Sequence, residues 1–360
     1  MTNTTPLIDV VQTPQQARDL PEPPLLIRST VESFLDQHDI GQGGLQITRI
    51  GEGQSNATFR IQRDGADVIL RRGPRPPIPR STHDMIREAR VQSALAARGF
   101  AVPTIRAVEE TGDLLGVPFY IMDTLDGDVI TSELPERFES DEARRQIGFA
   151  AVDALHQLHS LDVSTEPLAS LGRPEGYLQR QIERFTHLWP QQTQRDIPLV
   201  DELSQWLGRH VPTTQRHSVI HGDYRIGNLM YSPSTTPEIQ AVLDWEMATL
   251  GDPLADLGYF AATYASGSDT PTVMELTPVT RQPGFPSRDE LVAHYNRESS
   301  LDLSQLNWYQ VLALWKSAIF CEAIYTRFLN GEAPDDPSFA AGLKHGVPAL
   351  LESAHQFTTA

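Results

Sequence analysis

His221-Gly222-Asp223-Tyr224-Arg225-Ile226-Gly227-Asn228-Leu229-Met230-Tyr231, followed by Ala241-Val242-Leu243-Asp244-Trp245-Glu246, is the stretch on which the reading of this chain turns. Four residues separate Asp223 from Asn228, and Asp244 closes a short apolar run. Two strand-like runs, Val219-Ile220 and Ile239 to Leu243, are expected to present their ends side by side. Three oxygen-bearing side chains can then converge on one metal ion and one hydroxyl. Phosphoryl transfer from a nucleotide needs that set: a carboxylate to orient the attacking hydroxyl and take its proton, and hard oxygen ligands for Mg²⁺.

The segment His221-Gly222-Asp223, then four residues, then Asn228, with Leu243-Asp244-Trp245-Glu246 downstream, resembles the catalytic loop and metal motif of the aminoglycoside phosphotransferase and choline kinase superfamily, which has the protein-kinase-like fold. Its continuation, Gly251-Asp252-Pro253-Leu254-Ala255-Asp256-Leu257-Gly258, is similar to the branch related to the kinase-like domain of acyl-CoA dehydrogenase family proteins. The resemblance implies Asp223 as catalytic base, Asn228 and Asp244 as Mg²⁺ ligands, and ATP or GTP as co-substrate. A hydroxylated small molecule would be the acceptor. His221 would brace the loop, and Asp252 and Asp256 would be turn and cap acids.

Composition sets the bounds. At 360 residues, 39% hydrophobic and 21% charged, the chain has room for two cores. No apolar run approaches the ~20 residues of a membrane span, and no signal-peptide layout opens the chain. The single cysteine, Cys321, leaves no internal disulfide framework and reads as cytoplasmic. A formal charge of −18 argues against nucleic acid or an anionic membrane as partner. Between residues 48 and 110, however, eleven arginines face seven acids. Only two lysines occur, Lys316 and Lys344, so the strand lysine that the resemblance implies beside the α- and β-phosphates is missing; either an arginine takes its place or the site is inactive.

The expected organisation is α+β: a flexible N-terminal arm over residues 1–24, an N-lobe of antiparallel sheet and helix over 25–125, and a mainly helical C-lobe over 126–360. In the N-lobe, Leu45 to Ile50, a glycine turn through Gly51-Glu52-Gly53-Gln54-Ser55-Asn56, and the alternating run Ala57 to Ile61 read as a hairpin. A strand after the glycines, rather than a helix, suits a cap over phosphates, with Gly53, Ser55 and Asn56 as contacts. Val68-Ile69-Leu70-Arg71-Arg72 reads as the next strand. Arg71 takes the place of the family's lysine, and Arg72 should point to the opposite face with little role. A helix capped by Ser81 or Thr82 carries Glu88, the partner expected for Arg71. Val117 to Met122 leads into Asp123-Thr124-Leu125-Asp126-Gly127, the expected hinge, where Met122 and Thr124 would offer backbone to the adenine.

Farther on, Glu142 to Leu158 has helical periodicity, with His156 and His159 at its end read as non-ligands. The aromatics Tyr177, Phe185 and Trp189 suit either core or pocket. Residues 266–287 read as a surface loop able to cover the acceptor. Two rival readings accompany the kinase: a nucleotide-binding pseudokinase, suggested by the missing lysine, and a metal-dependent hydrolase built on His221, Asp223 and Asp244, which would want more ligands nearby.

Overall fold

The computed structural model describes residues 8–50, 56–76, 84–267, 270–332 and 336–359. Two compact units divide between Leu125 and Asp126, the second also taking in Arg98–Ala101.

The first unit opens with strand β1 (Val10–Val11), a short helix α1 (Pro14–Arg18), strand β2 (Leu26–Ile27) and helix α2 (Arg28–Gln37). Strands β3 (Gln42–Ile50), β4 (Ala57–Asp64) and β5 (Ala66–Arg72) follow, then helix α3 (Met85–Ala96) and strands β6 (Ile105–Glu109) and β7 (Phe119–Asp123). The five long strands form one antiparallel sheet in the order β3-β4-β5-β7-β6. Alternation along β5 sorts its side chains between two cores. Val68 and Leu70 join Phe59, Ile61, Phe119 and Ile121 under Leu26, Val31, Phe34 and Leu35 of the β2–α2 segment. On the opposite side, α3 brings Met85 and Ala89 against Tyr120, Ile105 and Met122.

Two expectations are corrected here. The segment taken for a flexible arm is built into the unit from Val10 onward: β1 pairs in parallel with β2, and Asp9 forms ion pairs with Arg49 and with Arg75, the latter at 2.8 Å. Thr13 and Gln16 cap α1 reciprocally, a box that closes two orphan amide donors. The helix expected from Ser81 or Thr82 is capped instead by Asp84, whose carboxylate accepts from the Arg87 amide, and Ser81 and Thr82 lie outside the described residues.

The second unit contains strand β8 (Asp128–Val129), helices α4 (Asp141–His159), α5 (Tyr177–Gln192) and α6 (Leu199–Arg209), and strands β9 (Ser218–Ile220), β10 (Leu229–Tyr231), β11 (Ile239–Val242) and β12 (Thr249–Gly251). Helices α7 (Leu254–Thr263), α8 (Arg288–Glu298), α9 (Leu306–Leu329) and α10 (Pro337–Gln356) complete it. Apolar residues lie nearly all round α9, so it becomes the buried axis against which α5, α6, α7 and α10 pack. Tyr177, Phe185 and Trp189 are buried, and Phe185 meets Trp315 of α9, which settles that aromatic run as core. Gly258 lets α7 approach α9 closely, because a Cβ there would lie 2.5 Å from that of Tyr309. Among the described residues no helix is long and apolar enough to cross a membrane.

Candidate active site

Strand β9 delivers the chain into His221 and then turns at Gly222, where the φ of +87°, and the 2.9 Å that would separate an added Cβ from Met247, leave no room for a side chain. Asp223 follows, and a single 3₁₀ turn over Ile226–Asn228 brings Asn228 back to it. The Asn228 amide nitrogen donates to the Asp223 carbonyl at 2.8 Å and to its carboxylate Oδ2 at 2.9 Å. Both partners are acceptors, so the amide orientation is set chemically and the Asn228 carbonyl oxygen stays available for a cation.

The acid after β11 is tied to the same loop. Leu243 donates its amide to the main-chain carbonyl of Asn228 at 2.8 Å, leaving the side-chain oxygen untouched, and its own carbonyl pairs with His221 Nε2 at 2.9 Å. His221 Nδ1 accepts the Asp223 amide at 3.2 Å, so the ring proton resides on Nε2 and the imidazole spans both segments. That is the bracing role expected of it. Asp244 comes next, at φ +65°, a conformation that Asp tolerates better than most side chains. Its neighbour Trp245 is fully buried 4.7 Å from the His221 ring. Asp223, Asn228 and Asp244 thus belong to one braced assembly.

Helix α7 fastens this assembly from behind. Asp256 accepts the amides of His221 at 2.7 Å and Gly222 at 2.9 Å, and Tyr259, one turn on, donates its hydroxyl to Asp223 Oδ1. Arg225 Nε lies 3.5 Å from Asp223 Oδ2. Asp252 is more conventional: in the turn before α7 it accepts the amide of Leu254 and the hydroxyl of Tyr309, while burial raises its pKa. The expectation for Asp256 as a cap acid is therefore corrected, since its carboxylate holds the amides of His221 and Gly222 in the loop of Asp223 instead. His159 is buried between Tyr295, at 2.8 Å, and Asp256, at 3.5 Å, as a packed residue. Sequence reasoning missed Tyr259 and Arg225; the only trace of the former is its spacing of three from Asp256, which puts both on one helix face.

In the first unit, Arg71 Nε and Glu88 Oε1 lie 3.2 Å apart, with Glu88 fully buried on α3. The Tyr120 hydroxyl sits beside that pair and takes a bond from Gln92 at 3.1 Å; burial, and then the Glu88 charge, push its pKa well up. Arg72 departs from expectation. It does point to the opposite face, but that face is covered by the β2–α2 segment. Its guanidinium is fully buried, donating to the carbonyls of Gly73, Leu25, Leu115 and Pro74. Met122 packs in the α3-side core, and Thr124 gives its hydroxyl to Asp67 at 2.9 Å. Asn56 is half-buried; Gly53 and Ser55 lie outside the described residues.

The donor set suits a hard divalent cation. Asp244 offers a carboxylate and Asn228 a carbonyl oxygen, leaving further positions for phosphate oxygens and water, as Mg²⁺ prefers. Among the described residues no three His, Cys, Asp or Glu side chains gather as a metal cluster.

The fold defines the class: a two-lobed, kinase-like α+β protein. More particularly, the chain belongs to the phosphotransferase enzyme family, whose profile it matches over residues 46–291. Rat acyl-CoA dehydrogenase family member 11 is 32% identical over 348 residues, covering 94% of this chain and 44% of that protein. Mouse family member 10 is 30% identical, with 99% and 32% covered. The chain thus spans less than half the length of these relatives. Among solved structures, a candidate aminoglycoside phosphotransferase of Ralstonia eutropha is similar with TM-score 0.77 and 28% identity, over 92% of this chain and 98% of that one. An aminoglycoside phosphotransferase in ternary complex with ADP and hygromycin B shares the fold at TM-score 0.58 and 15% identity, over 90% and 98%. So does a phosphotransferase complexed with GDP and kanamycin, at 0.59 and 18%, over 91% and 98%.

Proposed function

We propose that the protein transfers the γ-phosphoryl group of ATP or GTP to a hydroxyl of a small molecule. Asp223 orients that hydroxyl and takes its proton. Asn228 and Asp244 hold Mg²⁺, which when bound neutralises charge on the phosphate oxygens. Arg71, steadied by Glu88, supplies the cation for the α- and β-phosphates in place of lysine, as a planar fork rather than a point charge. Gly53, Ser55 and Asn56 contact phosphates, and the backbone at Met122 and Thr124 offers hydrogen bonds to the nucleobase. The names of the relatives favour a hydroxyacyl thioester as acceptor over an antibiotic, a choline-like alcohol or a sugar. A cytoplasmic setting belongs to the same reading, supported by a lone Cys321 that is buried and unpaired, its pKa pushed up to about 12.

The observation that carries this reading is the Asn228 amide, which by donating to Asp223 fixes the base and frees its own oxygen for a cation in one arrangement. The Arg71–Glu88 pair favours an active enzyme over a pseudokinase, since the cation and its partner are both present. Asp223→Asn should lower turnover by roughly 10²–10⁴-fold while ATP affinity holds. Loss of ATP binding in proportion to rate would make Asp223 a binding residue instead. Screening ADP release across pooled hydroxylated metabolites would identify the acceptor.

A further inference from the structure

We infer that Tyr259 is a positioning residue for proton transfer, selecting Oδ1 of Asp223 as the atom that receives the acceptor's proton. The inference rests on the phosphotransferase reading above and deepens it.

A carboxylate offers about four lone-pair sites, two on each oxygen. On Oδ2 of Asp223 they face Asn228 Nδ2 at 2.9 Å and Arg225 Nε at 3.5 Å. On Oδ1 one is taken by the Tyr259 hydroxyl, which leaves one for an incoming hydroxyl. The carboxylate is therefore held at both ends and open at a single position. Tyr259 keeps its place because α7 is itself anchored: Asp256, on the same helix face, grips the amides of His221 and Gly222, and Gly258 lets α7 sit hard against Tyr309 of α9. Around the hydroxyl lie the Asp223 carboxylate, Arg225 and, from α9, Cys321. Burial first, and then the Asp223 charge, hold the phenol well above the ordinary tyrosine range, so it remains a donor.

In the step this serves, the acceptor O–H bond breaks and its proton passes to Oδ1. The acceptor oxygen forms a bond to the γ-phosphorus, and the bond from that phosphorus to the bridging oxygen breaks, its electron pair leaving with the nucleoside diphosphate. Tyr259 changes no bond of its own. It keeps Oδ1 aimed while charge moves.

The test is a double-mutant cycle read with Mg²⁺·ATP and water as phosphoryl acceptor, following ADP release. Tyr259→Phe removes only the hydroxyl and should lower kcat about tenfold, the size of one charge-assisted hydrogen bond lost in the transition state, with KM for ATP within about twofold. In an Asp223→Asn background the same change should alter kcat less than about twofold, because a residue acting through Asp223 has nothing left to act on. An equal loss in both backgrounds, or no loss in the wild-type background while Asp223→Asn is inactive, overturns the positioning role and leaves the phosphotransferase reading standing. Full activity of Asp223→Asn overturns both.

Discussion

Arg72→Ala tests the N-terminal unit most directly. Its guanidinium makes four bonds to backbone carbonyls: Gly73 at 2.9 Å, a short one to Leu25, and stretched ones to Leu115 at 3.3 Å and Pro74 at 3.4 Å. Orphaning a buried acceptor costs about 1–3 kcal/mol, so two sound bonds and two stretched ones represent roughly 3–5 kcal/mol before offsets. Burial holds the Arg72 pKa down to about 10, a desolvation penalty that the alanine variant escapes. Loss of the packed aliphatic stem works the other way. The expected net destabilisation is about 2–3 kcal/mol, a fall in Tm of roughly 5 °C. All five tryptophans lie beyond residue 125, so none reports from within this unit. Calorimetry, with hydrogen exchange at the β5 amides, reads it. A variant within about 0.5 kcal/mol of wild type, the range of ordinary surface substitutions, would show that the four carbonyls do not depend on this donor.

Arg71→Ala is expected to weaken ATP binding and turnover by at least about tenfold, and Arg71→Lys to recover only part, since a point charge replaces a bidentate fork; unaltered ATP affinity in both would remove Arg71 from the nucleotide site. Asp244→Asn retains a residue type that tolerates positive φ. It should leave Tm nearly unchanged while cutting Mg²⁺-dependent turnover on the order of a hundredfold, and an unshifted Mg²⁺ titration would count against the ligand assignment. Lys316 packs 5.0 Å from the Phe185 ring centre, and burial, then Arg184, hold its pKa down to about 8. A base with a depressed folded pKa binds fewer protons folded than unfolded between pH 8 and its ordinary value near 10.5, so stability rises with pH across that window. The stability advantage of Lys316→Met over wild type should shrink from pH 8 to 10; a constant difference would mean the amine is not desolvated.

The loop that folds Asn228 back onto Asp223 was legible because the proposed chemistry asks for a carboxylate, an amide oxygen and a strand-ending acid at those spacings, and few other side chains substitute for them. The sheet was legible from alternation, and alternation correctly put Arg71 and Arg72 on opposite faces. It could not show that the second face is covered, because the cover is the β2–α2 segment behind a proline-rich stretch whose composition suggested a loose arm. Tertiary placement turned an unremarkable strand arginine into a buried donor for four carbonyls. Tyr259 was hidden for a related reason: its bond to Asp223 spans 36 residues, and neither local pattern points to the other.

The Arg71–Glu88 pair also has a consequence for chemical labelling. Both lysines lie far along the chain, so the N-terminal unit presents no lysine amine. Acyl-phosphate nucleotides and aldehyde or sulfonyl fluoride warheads, which capture a lysine beside bound ATP, would find no lysine side chain to acylate, sulfonylate or condense with in this unit. Vicinal dicarbonyls, which condense with guanidinium groups, are the reagents suited to Arg71. Protection of that arginine by bound nucleotide would then distinguish this protein, in a mixture, from enzymes that keep a lysine on the corresponding strand.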